Sequence, residues 1–151
     1  MLRRLTSLLA AAALMGLAAS ANAALKPGDA APLFTTDAAV GGKQMPLVLA
    51  DALRKGPVVL YFFPKSFTSG CTLEAHMFAE ATDKFAVAAD PQSAIIKSYD
   101  AKMIAMPFSD RISYVITPDD KILFAYSAMD PAEHVNKTMK AISDWRATHP
   151  Q

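Results

Sequence analysis

The sequence predicts a single α/β domain in which helices flank a mixed central sheet. Three observations predict it. Residues 58–63 are apolar at every position and rich in β-branched and aromatic side chains, which reads as a strand covered on both faces. Apolar residues recur at helical spacing over 71–85 and again from residue 130 onward. Two strand-like runs, 111–116 and 121–126, flank Thr117-Pro118-Asp119-Asp120, whose proline and acids are turn chemistry. The resulting order is strand, helix, short strand or helix, hairpin and terminal helix, an arrangement of layers.

The chain has 151 residues, enough for one domain. Residues 1–23 read as a secretory signal peptide. Arg3 and Arg4 supply the positive start, residues 8–19 an uncharged apolar run, and Ala21-Asn22-Ala23 a small-residue cleavage pattern. The domain is then expected at 24–151, exported, with a bacterial periplasm as its location. The apolar run falls short of the roughly 20 residues a membrane helix needs, so no stable membrane anchor is expected.

Residues 24–33 carry Pro27, Gly28, Asp29 and Pro32 and predict an extended, turn-rich lead-in. Weak alternation over 34–49 around Gly41-Gly42 predicts a loose hairpin, and residues 47–54 one short helical turn. Residues 58–63 are the expected central strand, ended by Pro64. The following helix, 71–85, places Leu73, Met77 and Ala81 on one face, with Phe78 and Phe85 beside it. Residues 86–89 predict a short strand, Asp90-Pro91 a turn, 94–99 a short helix and 103–110 a loop. In the last helix Asp130 is the expected N-cap, Pro131 the first residue and Glu133 the acid that reaches back. Val135, Met139, Ile142 and Trp145 form its core stripe, and His134 and His149 are expected at the surface. Aromatic and methionine side chains in these elements are read as core.

Fifteen basic residues face 14 acidic ones. That balance offers no basic stripe for nucleic acid. The single cysteine, Cys71, cannot form an internal disulfide, and a leftover cysteine in an exported protein is either an inert core residue or a reactive thiol. Its surroundings favour the second. The segment Phe63-Pro64-Lys65-Ser66-Phe67-Thr68-Ser69-Gly70-Cys71-Thr72-Leu73-Glu74 joins a strand to a helix. Ligands in α/β sheets bind at such carboxyl ends of strands. A thiol in the first helical turn meets free N–H groups and the positive end of the dipole, which favour the thiolate. The Thr68 hydroxyl is placed to hydrogen-bond that thiolate or a substrate oxygen. Arg111, opening a later strand, is the candidate cation, with a solvated surface arginine as the equal alternative.

Other chemistries fit less well. His76 lies about 140° around the helix from Cys71, so a cysteine hydrolase lacks its base. A C-x-x-C pair is missing, and no metal-ligand pair has usable spacing. No cofactor and no metal ion are expected.

Pro64-x-x-x-Thr68-x-x-Cys71 matches the P-x-x-x-[ST]-x-x-C motif of peroxiredoxins. Gly28-Asp29-x-Ala31-Pro32-x-Phe34 resembles that family's lead-in, and Arg111-Ile112-Ser113-Tyr114-Val115-Ile116 its arginine-bearing strand. In detail the chain resembles the bacterioferritin-comigratory, or Q, branch of this alkyl hydroperoxide reductase/thiol-specific antioxidant family. The resemblance implies a thioredoxin-like fold. It also implies a thiol-dependent peroxidase that reduces hydrogen peroxide and organic hydroperoxides through a cysteine sulfenic acid. Cys71 would attack the peroxide, Thr68 and Arg111 would orient and polarise it, and Pro64 would shield the thiolate. Glu74 would be a structural partner.

Two departures stand out. No second cysteine exists to resolve the sulfenic acid, so an external thiol (thioredoxin, glutaredoxin or a small thiol) is the expected reductant in a one-cysteine cycle. A strand and a helix that the family places after the cysteine-bearing helix are missing, because Asp83-Lys84-Phe85 runs straight into Ala86-Val87-Ala88-Ala89. That missing strand would pair in parallel with residues 58–63, and its loss leaves an apolar edge, with a homodimer as one outcome. The competing reading is a catalytically impaired relative that binds or supports, or a nonfunctional truncated copy, with an unactivated Cys71.

Overall fold

The computed structural model describes residues 24–103 and 108–150. The expected signal peptide and its cleavage point lie outside the described residues. The lead-in runs along the later hairpin. Gly28 N–H donates to the Ile122 carbonyl at 2.8 Å, Ala31 N–H to Asp120 at 2.8 Å, and Ile122 N–H back to Asp29 at 2.9 Å. Gly28 sits at φ +95°, a conformation that glycine adopts without steric cost.

The expected hairpin forms from β1 (Thr35–Val40) and β2 (Lys43–Val48), in register from Thr35↔Val48 to Val40↔Lys43. The short turn of helix follows as α1 (Leu49–Leu53). The strongest strand signal gives β3 (Val58–Phe62), and the Cys71 helix is α2 (Ser69–Ala81). Next come β4 (Val87–Ala88) and α3 (Ala94–Ser98). Asp90 seats α3, its carboxylate accepting from the amides of Ala94, Ile95 and Ile96 at 2.8, 3.2 and 2.9 Å. The second hairpin is β5 (Ile112–Ile116) with β6 (Ile122–Ser127), and α4 (Pro131–Thr148) closes the chain.

The strands form two three-stranded sheets, ordered β2-β1-β4 and β3-β5-β6. Every pairing among the described residues is antiparallel. The central strand of the second sheet is β5, not β3 as the apolar run implied. All five residues of β5 are buried, whereas four of the five in β3 are only half-buried. The physical reason is the pairing of β3. β3 pairs with β5 alone, and no strand among the described residues takes its other edge. An unbroken apolar run reports two covered faces but says nothing of paired edges.

Alternation along β5 divides the core in two. Ile112, Tyr114 and Ile116 join Leu49, Leu53, Phe62, Tyr99, Ala101 and Ile122 in one cluster. Its two buried phenols are satisfied, Tyr99 donating to the Pro32 carbonyl at 2.9 Å and Tyr114 to the Tyr99 carbonyl at 2.8 Å. On the opposite face Ser113 meets α4, which packs in turn on α2. There Tyr61 of β3 stacks against Phe78 of α2 with ring centroids 4.7 Å apart.

Four further expectations are corrected. α2 stops at Ala81, short of Phe85, because Thr82 turns extended and the chain must reach β4, which pairs with β1. Its buried face is Cys71, Glu74 and Phe78, and Leu73 is 50% exposed. Hydropathy favours the face Leu73–Met77–Ala81, but the buried hydrogen bond between Arg111 and Glu74 holds the helix the other way. Asp130 does cap α4, accepting from Ala132 N–H at 2.9 Å, yet Glu133 does not reach back. It accepts instead from the Tyr126 hydroxyl and lies 3.5 Å from Lys137 Nζ. Finally, Met45 of the first hairpin is exposed rather than core.

The face assignment of the helices is testable by chemical denaturation. Leu53→Ala, deep in the core, should cost about 2–5 kcal/mol. Leu73→Ala should stay within about 0.5 kcal/mol of the parent.

Candidate active site

The site is built where β3 ends. Pro64 is half-buried at that exit, beside the Phe63 carbonyl that accepts from Ser109 Oγ at 2.6 Å. The loop passes through Phe67, which is fully exposed at φ +62°, and enters α2 with Thr68 as N-cap residue. Cys71 is therefore the third residue of the helix, in the turn whose N–H groups lack partners within the helix. It is 4% exposed.

Arg111 stands immediately before β5, and its carbonyl accepts from Ser127 Oγ at 3.2 Å, which fixes its backbone. The side chain is buried and forked. Nη2 lies 3.3 Å from Cys71 Sγ, and Nη1 donates to Glu74 Oε2. Sequence reasoning left Arg111 evenly divided between a site cation and a surface residue; the structure brings it to the thiol. Cys71 and Glu74 share one face of α2 at i, i+3 spacing, so one guanidinium spans both. Gly70 leaves the room for it. A Cβ added there would meet Arg111 Nη2 at 3.4 Å and Pro131 Cγ at 3.9 Å.

Burial pushes the Cys71 thiol up, but hydrogen bonding from Thr68, from the Lys65 backbone and from Arg111, with the Arg111 charge, outweighs it. The net effect holds the thiol below its ordinary value of 9.0. The Thr68 hydroxyl also lies 3.0 Å from the Lys65 carbonyl, so it is anchored within the same loop. Glu74 is fully buried, and burial pushes its carboxyl up to about 7 against the pull of Arg111.

The site thus unites Cys71, Thr68 and Arg111, with Glu74 as partner of the arginine. Sequence reasoning missed His134, which was placed at the surface but is fully buried next to Glu74. Its position on α4, next to Val135 and one turn before Thr138, both buried, was the available signal. His76 points away as expected, exposed and 3.2 Å from Glu80. Among the described residues no group of three or more metal-ligating side chains occurs.

The arrangement is a buried thiol at a helix start with an arginine on its sulfur, carried on an α/β scaffold. Comparison with known proteins makes this specific. Residues 27–89 match the AhpC/TSA family model, a span that includes Pro64, Thr68, Cys71 and Glu74, while Arg111 lies beyond it. A curated protein of Mycobacterium tuberculosis named "Putative peroxiredoxin Rv2521" is 29% identical over 120 residues, which cover 78% of this chain and 74% of that protein. Among solved structures, the chain resembles peroxidoxin BcpB of M. tuberculosis with TM-score 0.71 at 22% identity, covering 80% of this chain and 97% of that one. It also resembles M. tuberculosis AhpC with TM-score 0.69 at 14% identity, covering 85% and 97%. The fold is thioredoxin-like. The match to the AhpC/TSA model and the likeness to these proteins are what the chain shares with peroxiredoxins.

Two outcomes follow from the geometry. In a pH series of Cys71 alkylation, the midpoint should lie below 9.0, and Thr68→Val should move it back up. Glu74 binds its proton more tightly folded than unfolded. Its contribution to stability is therefore full below the ordinary value of 4.5 and is lost as pH rises through about 7. Denaturation midpoints should fall across that window in the parent, and the fall should be smaller in Glu74→Gln.

Proposed function

We propose that this protein is an exported, one-cysteine thiol peroxidase acting on hydrogen peroxide and organic hydroperoxides, with Cys71 as the attacking thiol. The observation that carries the reading is the single guanidinium that spans Cys71 Sγ and Glu74. The Cys71 thiolate attacks one peroxide oxygen. The O–O bond breaks, the second oxygen leaves as hydroxide or alkoxide and takes up a proton, and the sulfur becomes a sulfenic acid. Arg111 and Thr68 would hold the two oxygens in line with the sulfur and stabilise the charge on the departing one. Pro64 would limit water at the loop side.

The chain has one cysteine, so the return half of the cycle draws on an external thiol. That thiol displaces water from the sulfenic acid to form a mixed disulfide. A second thiol then releases reduced Cys71 and leaves as a disulfide. Thioredoxin, glutaredoxin and small thiols all have the required chemistry. Export through residues 1–23 would place the reaction outside the cytoplasm.

Treatment of the purified protein with one equivalent of hydrogen peroxide and a dimedone-type trap tests this. Mass spectrometry should find the sulfenic-acid adduct on Cys71, and peroxide should be consumed continuously once an external thiol is supplied. Cys71→Ser should abolish consumption. A trapped adduct without turnover for any thiol would reduce the protein to a one-shot scavenger, and no adduct would remove the peroxidase reading in favour of an impaired relative.

A further inference from the structure

Behind Arg111 lies a second buried polar layer that the peroxide chemistry does not use. His134, in the first turns of α4, has its Nε2 2.9 Å from the Ala128 carbonyl and its Nδ1 2.9 Å from Ser113 Oγ. A carbonyl only accepts, so Nε2 carries the hydrogen and Nδ1 presents a lone pair. The same Nδ1 stands 3.9 Å from Glu74 Oε1. That oxygen is buried and has no hydrogen-bond partner among the described residues, whereas Oε2 is held by Arg111. A buried carboxyl oxygen without a donor or a proton is costly. A side-chain adjustment of about 1 Å would bring Oε1 and Nδ1 to hydrogen-bond distance.

We propose that His134 is a positioning residue for the Cys71 reaction: its Nδ1 accepts a hydrogen bond from the Glu74 carboxyl and so keeps the Arg111 charge directed at the sulfur. This rests on Cys71 being the attacking thiol. With the proton on Oε1, Glu74 is neutral, its Oε2 still accepts from Arg111, and the guanidinium charge acts on Cys71 uncompensated. When the proton leaves to solvent, the Glu74 carboxylate compensates Arg111, and Nδ1 accepts from the Ser113 hydroxyl, the 2.9 Å contact present in the structure. Burial favours the first arrangement, since it holds His134 neutral and raises Glu74. The groups that face this layer are Cys71 from α2, Arg111 before β5, Tyr61 from β3, Tyr126 from β6, and Asp130 and Glu133 at the start of α4. Tyr126 meets the imidazole edge-on, with ring centroids 4.9 Å apart.

Two amide variants separate this role from a structural one. His134→Asn keeps an acceptor near the place of Nδ1 and gives up the bond to Ala128; His134→Gln keeps a donor near the place of Nε2 and gives up the acceptor. The readout is the pH profile of Cys71 alkylation, which needs no peroxidase activity, together with the rate of reaction with hydrogen peroxide. The parent profile should carry a second inflection near neutral pH from Glu74. His134→Asn should retain it. His134→Gln should displace it downward by about one pH unit and raise the Cys71 midpoint, with a slower peroxide reaction at neutral pH. A parent-like profile in His134→Gln, or a displaced one in His134→Asn alone, would overturn the proposal. Nitrogen-15 spectra of the parent decide the matter even if neither variant folds. The Nε2–H tautomer should persist across neutral pH, with the Nδ1 signal moving as Glu74 titrates; an Nδ1 signal that does not move would reject it. Altered alkylation without peroxide reaction would leave the positioning role intact and reject the peroxidase reading alone.

Discussion

Everything distinctive in this chain depends on one buried guanidinium. Arg111 donates from one nitrogen to Glu74 and lies 3.3 Å from the Cys71 sulfur with another. A buried cation is costly unless its fork is matched. Glu74 supplies the match and Cys71 becomes the beneficiary, a thiol held in a form closer to the nucleophile. The constraint also runs outward. It turns α2 so that Cys71, Glu74 and Phe78 face inward and Leu73 faces solvent. It requires β5 to begin beside the end of β3, where Phe62 pairs with Ile112.

The sheet explains how two distant segments form one site. β3 delivers the loop that carries Thr68 and Cys71, and β5 delivers Arg111; those two strands are neighbours. Thr82 turns extended directly after α2, and Val87 and Ala88 then pair with β1, so the chain leaves this sheet within a few residues of the helix. The two halves of the site meet at the β3–β5 pairing, on the edge of β3 away from its open side. Among the described residues β3, an apolar strand, has one partner.

Local chemistry was legible in the residues, and long-range chemistry only in part. Thr68 at i−3 from Cys71 belongs to the same strand-to-helix passage, so spacing alone placed it, whereas Glu74 entered only through the resemblance. Arg111 is 40 residues from Cys71 and was evenly balanced until the resemblance to a known strand gave it a place. The hairpins, α1, α3 and the Asp130 cap followed from turn and capping residues. β3 was misplaced because two apolar faces do not reveal an unpaired edge. His134 was misplaced because a histidine beside exposed Glu133 and Asn136 looks solvated. Its burial depends on Ser113, a polar residue inside a strand whose other four residues are apolar or aromatic, and no local pattern links the two.

On the proposed function, the activation of Cys71 is a property of the fold. Its most direct test is the rate at which the Cys71 thiol of residues 24–151 is lost to hydrogen peroxide at neutral pH, folded and in denaturant. A folded chain that reacts orders of magnitude faster is the expected result, because Arg111 and Thr68 act on the sulfur only when β3, α2 and β5 are assembled. Equal rates would contradict it, and the chain would then resemble peroxiredoxins in fold and motif without the chemistry.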